Sequence, residues 1–227
     1  KLYENGGLIM NPLLEVKDVC LSYHSLSGET AALSHISFHL MPEEFLAVVG
    51  PSGCGKSTLL NLICGLLHAE SGTILMNGKP LNKDSARIGY MLQKDHLLEW
   101  RSIYRNVLLG LEIQGELTKD NLSYVDELLK LYELDKFRNS RPSQLSGGMR
   151  QRAALIRTLA LKPDLLLLDE PFSAMDAKMK SAVEHYLFTG KEFEGKTVLV
   201  ITHDTREESL SQYDGIIHVG ENGIYVE

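Results

Sequence analysis

The sequence predicts an α/β protein: a parallel sheet with crossover helices, an antiparallel β-subdomain ahead of it, and a helical subdomain inserted into it. Three observations carry this. The apolar runs at residues 165–168 and 198–201 are continuous rather than alternating, as in strands buried on both faces of a sheet. From about residue 95 to 161 the periodicity turns helical and strand patterns vanish. Residues 14–21 and 32–40 instead alternate, as half-buried antiparallel strands do.

In chain order, a strand at 14–21 follows Pro12, and a polar loop at 24–30 leads to the strand at 32–40, with Ile36, Phe38 and Leu40 on one face. Together with 45–49 these describe an antiparallel sheet running into a glycine-rich turn. A helix at 57–67 follows, closed by a turn at Ser71-Gly72, and then strands at 73–76 and 88–92. Within the helical region, Val107, Leu108 and Leu111 form one apolar stripe, and Val125, Leu128, Leu129 and Tyr132 another. Helices at 153–161 and 177–188 alternate with strands at 165–168 and 197–201, as parallel pairing with crossover helices requires. The expected organisation is one domain over residues 12–227. Residues 12–94 and 162–227 form the core with its β-subdomain, 95–161 the helical subdomain, and 1–11 an N-terminal extension or expression remnant. Met10 is a candidate natural start, and no appended regulatory domain is visible after 221–225.

Composition narrows the function. The 227 residues are 44% hydrophobic and 23% charged, enough to bury a core. A net charge of -7 without clustered Lys and Arg argues against nucleic acid as a partner. No apolar run approaches the ~18 residues of a membrane-spanning helix, so any membrane association must come through a partner. The three cysteines, Cys20, Cys54 and Cys64, lack metal-ligand spacing and fit a reducing cytosol; residues 1–7 are too polar for a signal peptide.

The chemistry begins at Gly50, Pro51, Ser52, Gly53, Cys54, Gly55, Lys56, Ser57 and Thr58, which fit G-x-x-x-x-G-K-[ST] between a strand and a helix. Such a turn aims backbone N–H groups at phosphate oxygens, with the helix N-terminus behind them. Lys56 would reach the terminal phosphates of a polyphosphate, and the Ser57 hydroxyl would hold Mg²⁺. Cys54 occupies an unconstrained position and reads as a small packing residue. The strand at 165–168 ends in Asp169 and Glu170, and ligands of α/β sheets sit beyond strand carboxyl ends. Asp169 would bind Mg²⁺ through its water shell while Glu170 polarises an attacking water. His203, after the strand at 197–201, would hydrogen-bond the γ-phosphate, and Gln93, after the strand at 88–92, would sense Mg²⁺ and water. At Leu145-Ser146-Gly147-Gly148 paired glycines open a helix. This is either an ordinary cap by Ser146 or a second anion-binding nest.

Taken together, these motifs stand in the order and spacing of the ATP-binding cassette (ABC) ATPases: Gly50 to Ser57, Gln93, Leu145-Ser146-Gly147-Gly148, Leu168-Asp169-Glu170-Pro171, Ser173-Ala174-Met175-Asp176 and Thr202-His203-Asp204. The chain resembles that family from about residue 14 to 219. The resemblance implies a P-loop NTPase (RecA-like) core, with ATP and Mg²⁺ as ligand and cofactor. It also implies a head-to-tail homodimer in which Ser146, Gly147 and Gly148 contact the γ-phosphate of ATP held by the other copy. By the same resemblance Tyr23, placed in the loop after the first strand, stacks on adenine, and Ser173 to Asp176 links the two sites, with Met175 where Leu is usual. Met149-Arg150-Gln151-Arg152, and residues 97–103 followed by Asn106-Val107, are similar to importers of nitrate, sulfonate, taurine and pyrimidine precursors, although Glu99 replaces an expected proline. That resemblance implies an ATPase bound to the cytoplasmic face of the membrane through a permease, with an extracytoplasmic solute-binding protein in the same system. It also implies that the region of Trp100 receives a permease helix; a place in the helical core is the other reading of Trp100. An exporter or lipoprotein-release ATPase is the alternative function.

Overall fold

The computed structural model describes residues 11–25, 28–81, 87–173, 180, 183–184, 187–190, 193–220 and 223–226. Most of the helix expected at 177–188 and Ala174 to Asp176 of the linking loop lie outside them, as do residues 1–10. The chain divides into two compact units, Lys1–Ala86 with His203–Glu227, and Arg87–Thr202.

In the first unit β1 (Leu14–Ser25) and β2 (Gly28–Leu40) form a long antiparallel hairpin. β4 (Ser71–Met76) pairs on the other side of β1 and β5 (Lys79–Pro80) closes the edge. The alternation is loose for a physical reason. Asp18 and His35 adopt left-handed φ of 50 and 52, and the β1–β2 register shifts between Val16 and Val19. The bulge changes the parity of the inward side chains, so Val16 and Val19 are both buried. β1 also runs on to Ser25, with Tyr23 paired to Thr30, so Tyr23 lies inside the strand rather than in a loop after it.

β3 (Phe45–Val49) does not join this antiparallel sheet. It pairs in parallel with β9 (Gly215–Gly220), on which β10 (Gly223–Val226) folds back antiparallel. Leu46, Ala47, Val48 and Val49 are all buried, and such a continuous apolar strand is stable only with both faces covered. After β3 the chain turns into α1 (Lys56–Ile63). This helix ends earlier than its apolar run suggests, because the Cys64 C-cap is followed by Gly65 at φ 70, a left-handed stop. Ser71 and Gly72 accordingly open β4 instead of closing the helix.

The second unit holds a parallel sheet with β7 (Leu165–Asp169) between β6 (Ile88–Met91) and β8 (Thr197–Ile201). Between β6 and β7 come α2 (Ile103–Val107), α3 (Leu109–Gln114), α4 (Lys119–Leu131) and α5 (Gly147–Leu159). Ser102 caps α2 and Thr118 caps α4, each side chain accepting from the backbone N–H three residues on. Both apolar stripes expected from the sequence are buried, and α5 packs against α2, α3, α4 and β6. Inside this packing Asn106 is fully buried. It accepts from Leu98 N–H at 2.7 Å and donates to the carbonyls of Leu98, Arg101 and Ser102, so it staples the loop before α2. Among the described residues no helix is long and apolar enough to cross a membrane.

Candidate functional site

In the first unit the glycine-rich loop is shaped by contacts only glycine permits. Gly55, the N-cap of α1, has φ 98, and a Cβ there would drive into the Ala32 carbonyl oxygen and the Leu33 side chain. At Gly50 a Cβ would strike the Val219 carbonyl oxygen of β9. No side chain caps α1, so its first-turn N–H groups remain available to an anion. Lys56 is 6% exposed, and its ammonium donates to the carbonyls of Gly50 and Pro51, each at 2.8 Å. Its third proton faces Cys54 Sγ at 3.9 Å, a weak acceptor that a phosphate oxygen outcompetes. Ser57 is exposed in the first turn of α1. Tyr23 is 49% exposed, and its hydroxyl lies 3.2 Å from Thr58 Oγ1. His203, two residues past β8, is also exposed.

In the second unit the carboxyl end of β7 carries the acidic pair. Asp169 is buried, 3% exposed, as the last residue of the strand. Glu170 follows at φ 49, with its N–H donating to the Ile201 carbonyl at 3.1 Å. Gln93 Nε2 donates to Glu170 Oε2 at 3.0 Å, so the strand ends of β6 and β7 bring together two of the residues singled out in the sequence. Ser146 caps α5, its Oγ accepting from Met149 N–H at 3.3 Å, while Ser146 and Gly147 are exposed. The cap is real, and it leaves the loop facing solvent.

The sequence did not single out the link between the segment after Gln93 and α5. Asp95 takes a two-pronged ion pair from Arg150, Nε to Oδ2 at 3.0 Å and Nη2 to Oδ1 at 3.2 Å. Arg157, about two turns further along the same face of α5, donates to the carbonyls of Asp95 and His96 at 2.6 and 2.9 Å. Burial alone would raise the Asp95 carboxyl, but Arg150, the Leu97 N–H and the Arg157 charge outweigh it and hold the group below the ordinary carboxylate range. The Asp95 bond in turn raises Arg150. The available signal was an Arg at two helical positions facing one way, seven residues apart, which is an ordinary pattern for a solvated helix face. Trp100, for which a core position was one reading, is 71% exposed and is not a core residue.

For a cofactor, the oxygen donors on hand suit a hard cation. The Asp169 carboxylate in the second unit is of the type that Mg²⁺ takes, and Mg²⁺ is ordinarily held by one or two carboxylates together with substrate phosphates rather than by an all-protein cage. No group of three or more His, Cys, Asp or Glu among the described residues forms such a cage.

A family model described as "ABC transporter" matches residues 33–173, which hold the glycine-rich loop, Gln93, the Ser146 loop and the acidic pair. The chain belongs to the ABC transporter family. This ABC ATPase is 46% identical to the ABC transporter ATP-binding protein YtlC of Bacillus subtilis, over 86% of the chain and 75% of that protein. It is 39% identical to the taurine import ATP-binding protein TauB of Rhizobium johnstonii, with the same coverages. Among solved structures it matches the dimeric ABC cassette MJ0796 at a TM-score of 0.85 and 31% identity, covering 94% of this chain and 97% of that one. A post-hydrolysis state of MJ0796 bound to ADP and Pi matches with a TM-score of 0.84. The fold is therefore that of an ABC ATPase cassette, and its activity is ATP hydrolysis.

Proposed function

We propose that this ABC ATPase powers an importer, working as a homodimer beneath a separate membrane permease, and that the imported solute is small, of the nitrate, sulfonate, taurine or pyrimidine-precursor kind. The relatives named for taurine and aliphatic sulfonate import support this branch. The exposed Trp100 suits a surface that receives a permease helix on the cytoplasmic face of the membrane, and a solute-binding protein outside would complete the system.

The observation that carries the mechanism is the Gln93–Glu170 hydrogen bond at the ends of two parallel strands. In the proposed cycle the loop from Gly50 to Thr58 receives the triphosphate, with Lys56 presented by the Gly50 and Pro51 carbonyls and Tyr23 against adenine. Asp169, Ser57 and Gln93 would hold Mg²⁺, whose charge offsets that of the phosphates. Glu170 orients and deprotonates the attacking water, His203 hydrogen-bonds the γ-phosphate, and Ser146, Gly147 and Gly148 of a second copy close over it. Catalysis of this kind is mostly positioning and charge neutralisation around a loose phosphoryl transition state. The test is Glu170→Gln. It should keep ATP binding, lose roughly 10²- to 10⁴-fold in turnover, and sediment as a dimer with ATP. Near-normal turnover would remove Glu170 from its role, and a monomer at saturating ATP would contradict the shared site.

A further inference from the structure

The far end of β1 has a support that is not a strand. Pairing with β4 reaches only as far as Cys20, opposite Ser71. From residue 21 to 25 the strand continues with β2 along one edge, while the edge that β4 leaves would present its N–H groups to solvent. Glu70, immediately before β4, takes over that edge. Its own N–H donates to the Cys20 carbonyl at 2.9 Å, and its Oε2 accepts from Ser22 N–H at 3.1 Å. Its Oε1 lies 3.0 Å from His24 Nε2. One residue thus grips β1 at positions 20, 22 and 24. Tyr23 sits between the last two, with its hydroxyl at Thr58 in the first turn of α1.

We propose that Glu70 is a positioning residue for the nucleotide base: by standing in for the missing strand it fixes the place of the Tyr23 ring relative to the glycine-rich loop. The inference rests on the reading that Tyr23 stacks on adenine. A carboxylate accepting a backbone N–H makes a charge-assisted bond, and the second oxygen on His24 keeps the carboxylate from turning away. Removing it leaves the phosphate loop intact but lets the end of β1 sample other positions, so only the base contact loses affinity. A bond across half-exposed groups has a modest effect, on the order of a 3- to 10-fold loss.

The test compares MgADP with magnesium pyrophosphate, which lacks a base, by titration calorimetry on the full chain. Glu70→Ala should weaken ADP by about 3- to 10-fold and leave pyrophosphate within about twofold. In steady-state hydrolysis KM for ATP should rise with kcat unchanged. Glu70→Gln keeps an acceptor for Ser22 N–H and should recover most of the ADP affinity. Tyr23→Ala is the reference. If it leaves ADP binding intact, the stacking reading fails and the inference falls with it. If Tyr23→Ala weakens ADP and Glu70→Ala does not, the inference alone is overturned. Equal losses for ADP and pyrophosphate in Glu70→Ala, or a Glu70→Gln chain as weak as Glu70→Ala, also overturn it.

Discussion

Replacing Gly55 by Ala tests whether the loop is built around contacts or merely around a flexible residue. Two penalties meet there. At φ 98 an L-residue is strained, and a left-handed alanine costs roughly 1–2 kcal/mol. The added Cβ would also collide with the Ala32 carbonyl and Leu33 Cδ2 in the neighbouring strand, and overpacking of this sort costs typically about 1–3 kcal/mol. Gly53 separates the two effects, because its φ is 81 but a Cβ would meet nothing within 4 Å. Gly53→Ala should therefore carry only the backbone penalty, and Gly55→Ala both. The difference, about 1–3 kcal/mol, corresponds in a chain of this size to a Tm gap of roughly 2–12 °C. The measurement is thermal unfolding of the two variants without nucleotide, so that lost ligand binding does not enter. Equal melting temperatures for the two would refute the crowding argument, and a wild-type melting temperature for both would refute the backbone argument as well.

Lys56→Ala should abolish the stabilisation that ATP confers, which for wild type at a hundredfold excess over Kd is about 2.7 kcal/mol, and a retained thermal shift would show that the ammonium is dispensable for binding. Asp95 has a depressed pKa when folded, so its contribution to stability is present above the unfolded value and is lost as pH falls through the folded one. Asp95→Asn should accordingly unfold less steeply than wild type as pH drops from about 5 towards 3, and identical acid-denaturation slopes would remove the Arg150 pair from the account. Burial pushes the Cys64 thiol up to about 12, so at pH 8 iodoacetamide should label it far more slowly in the native chain than in urea, as peptide mapping would show.

The sequence made some features plain because backbone and side chain shared one periodicity. The runs at 165–168 and 197–201 are the cores of β7 and β8, and the stripe from Val125 to Tyr132 is the buried face of α4 and its C-cap. What it hid was parity and partnership. The left-handed Asp18 and His35 break the alternation of β1 and β2 in a way no period-2 template expects, and the short edge strands β5 and β10 carry too few residues to show a pattern. The apolar run at 45–49 was expected in the antiparallel sheet, but such a run does not name its partner, and β3 pairs in parallel with β9. For the candidate site, type and spacing could single out motif residues but not their contacts. The Gln93–Glu170 bond and the Asp95–Arg150 pair span 77 and 55 residues, and sequence proximity carries no information about such contacts.

The backbone at Glu170 lies in territory that suits glycine, with φ 49. A side chain there costs roughly 1 kcal/mol relative to glycine, so under the role proposed for Glu170 heat tolerance and turnover pull this position in opposite directions. Given that role, selection for ruggedness alone would drift toward Glu170→Gly at the expense of water activation. Engineers seeking a hardier version that keeps the proposed water-activating carboxylate should look elsewhere in the chain.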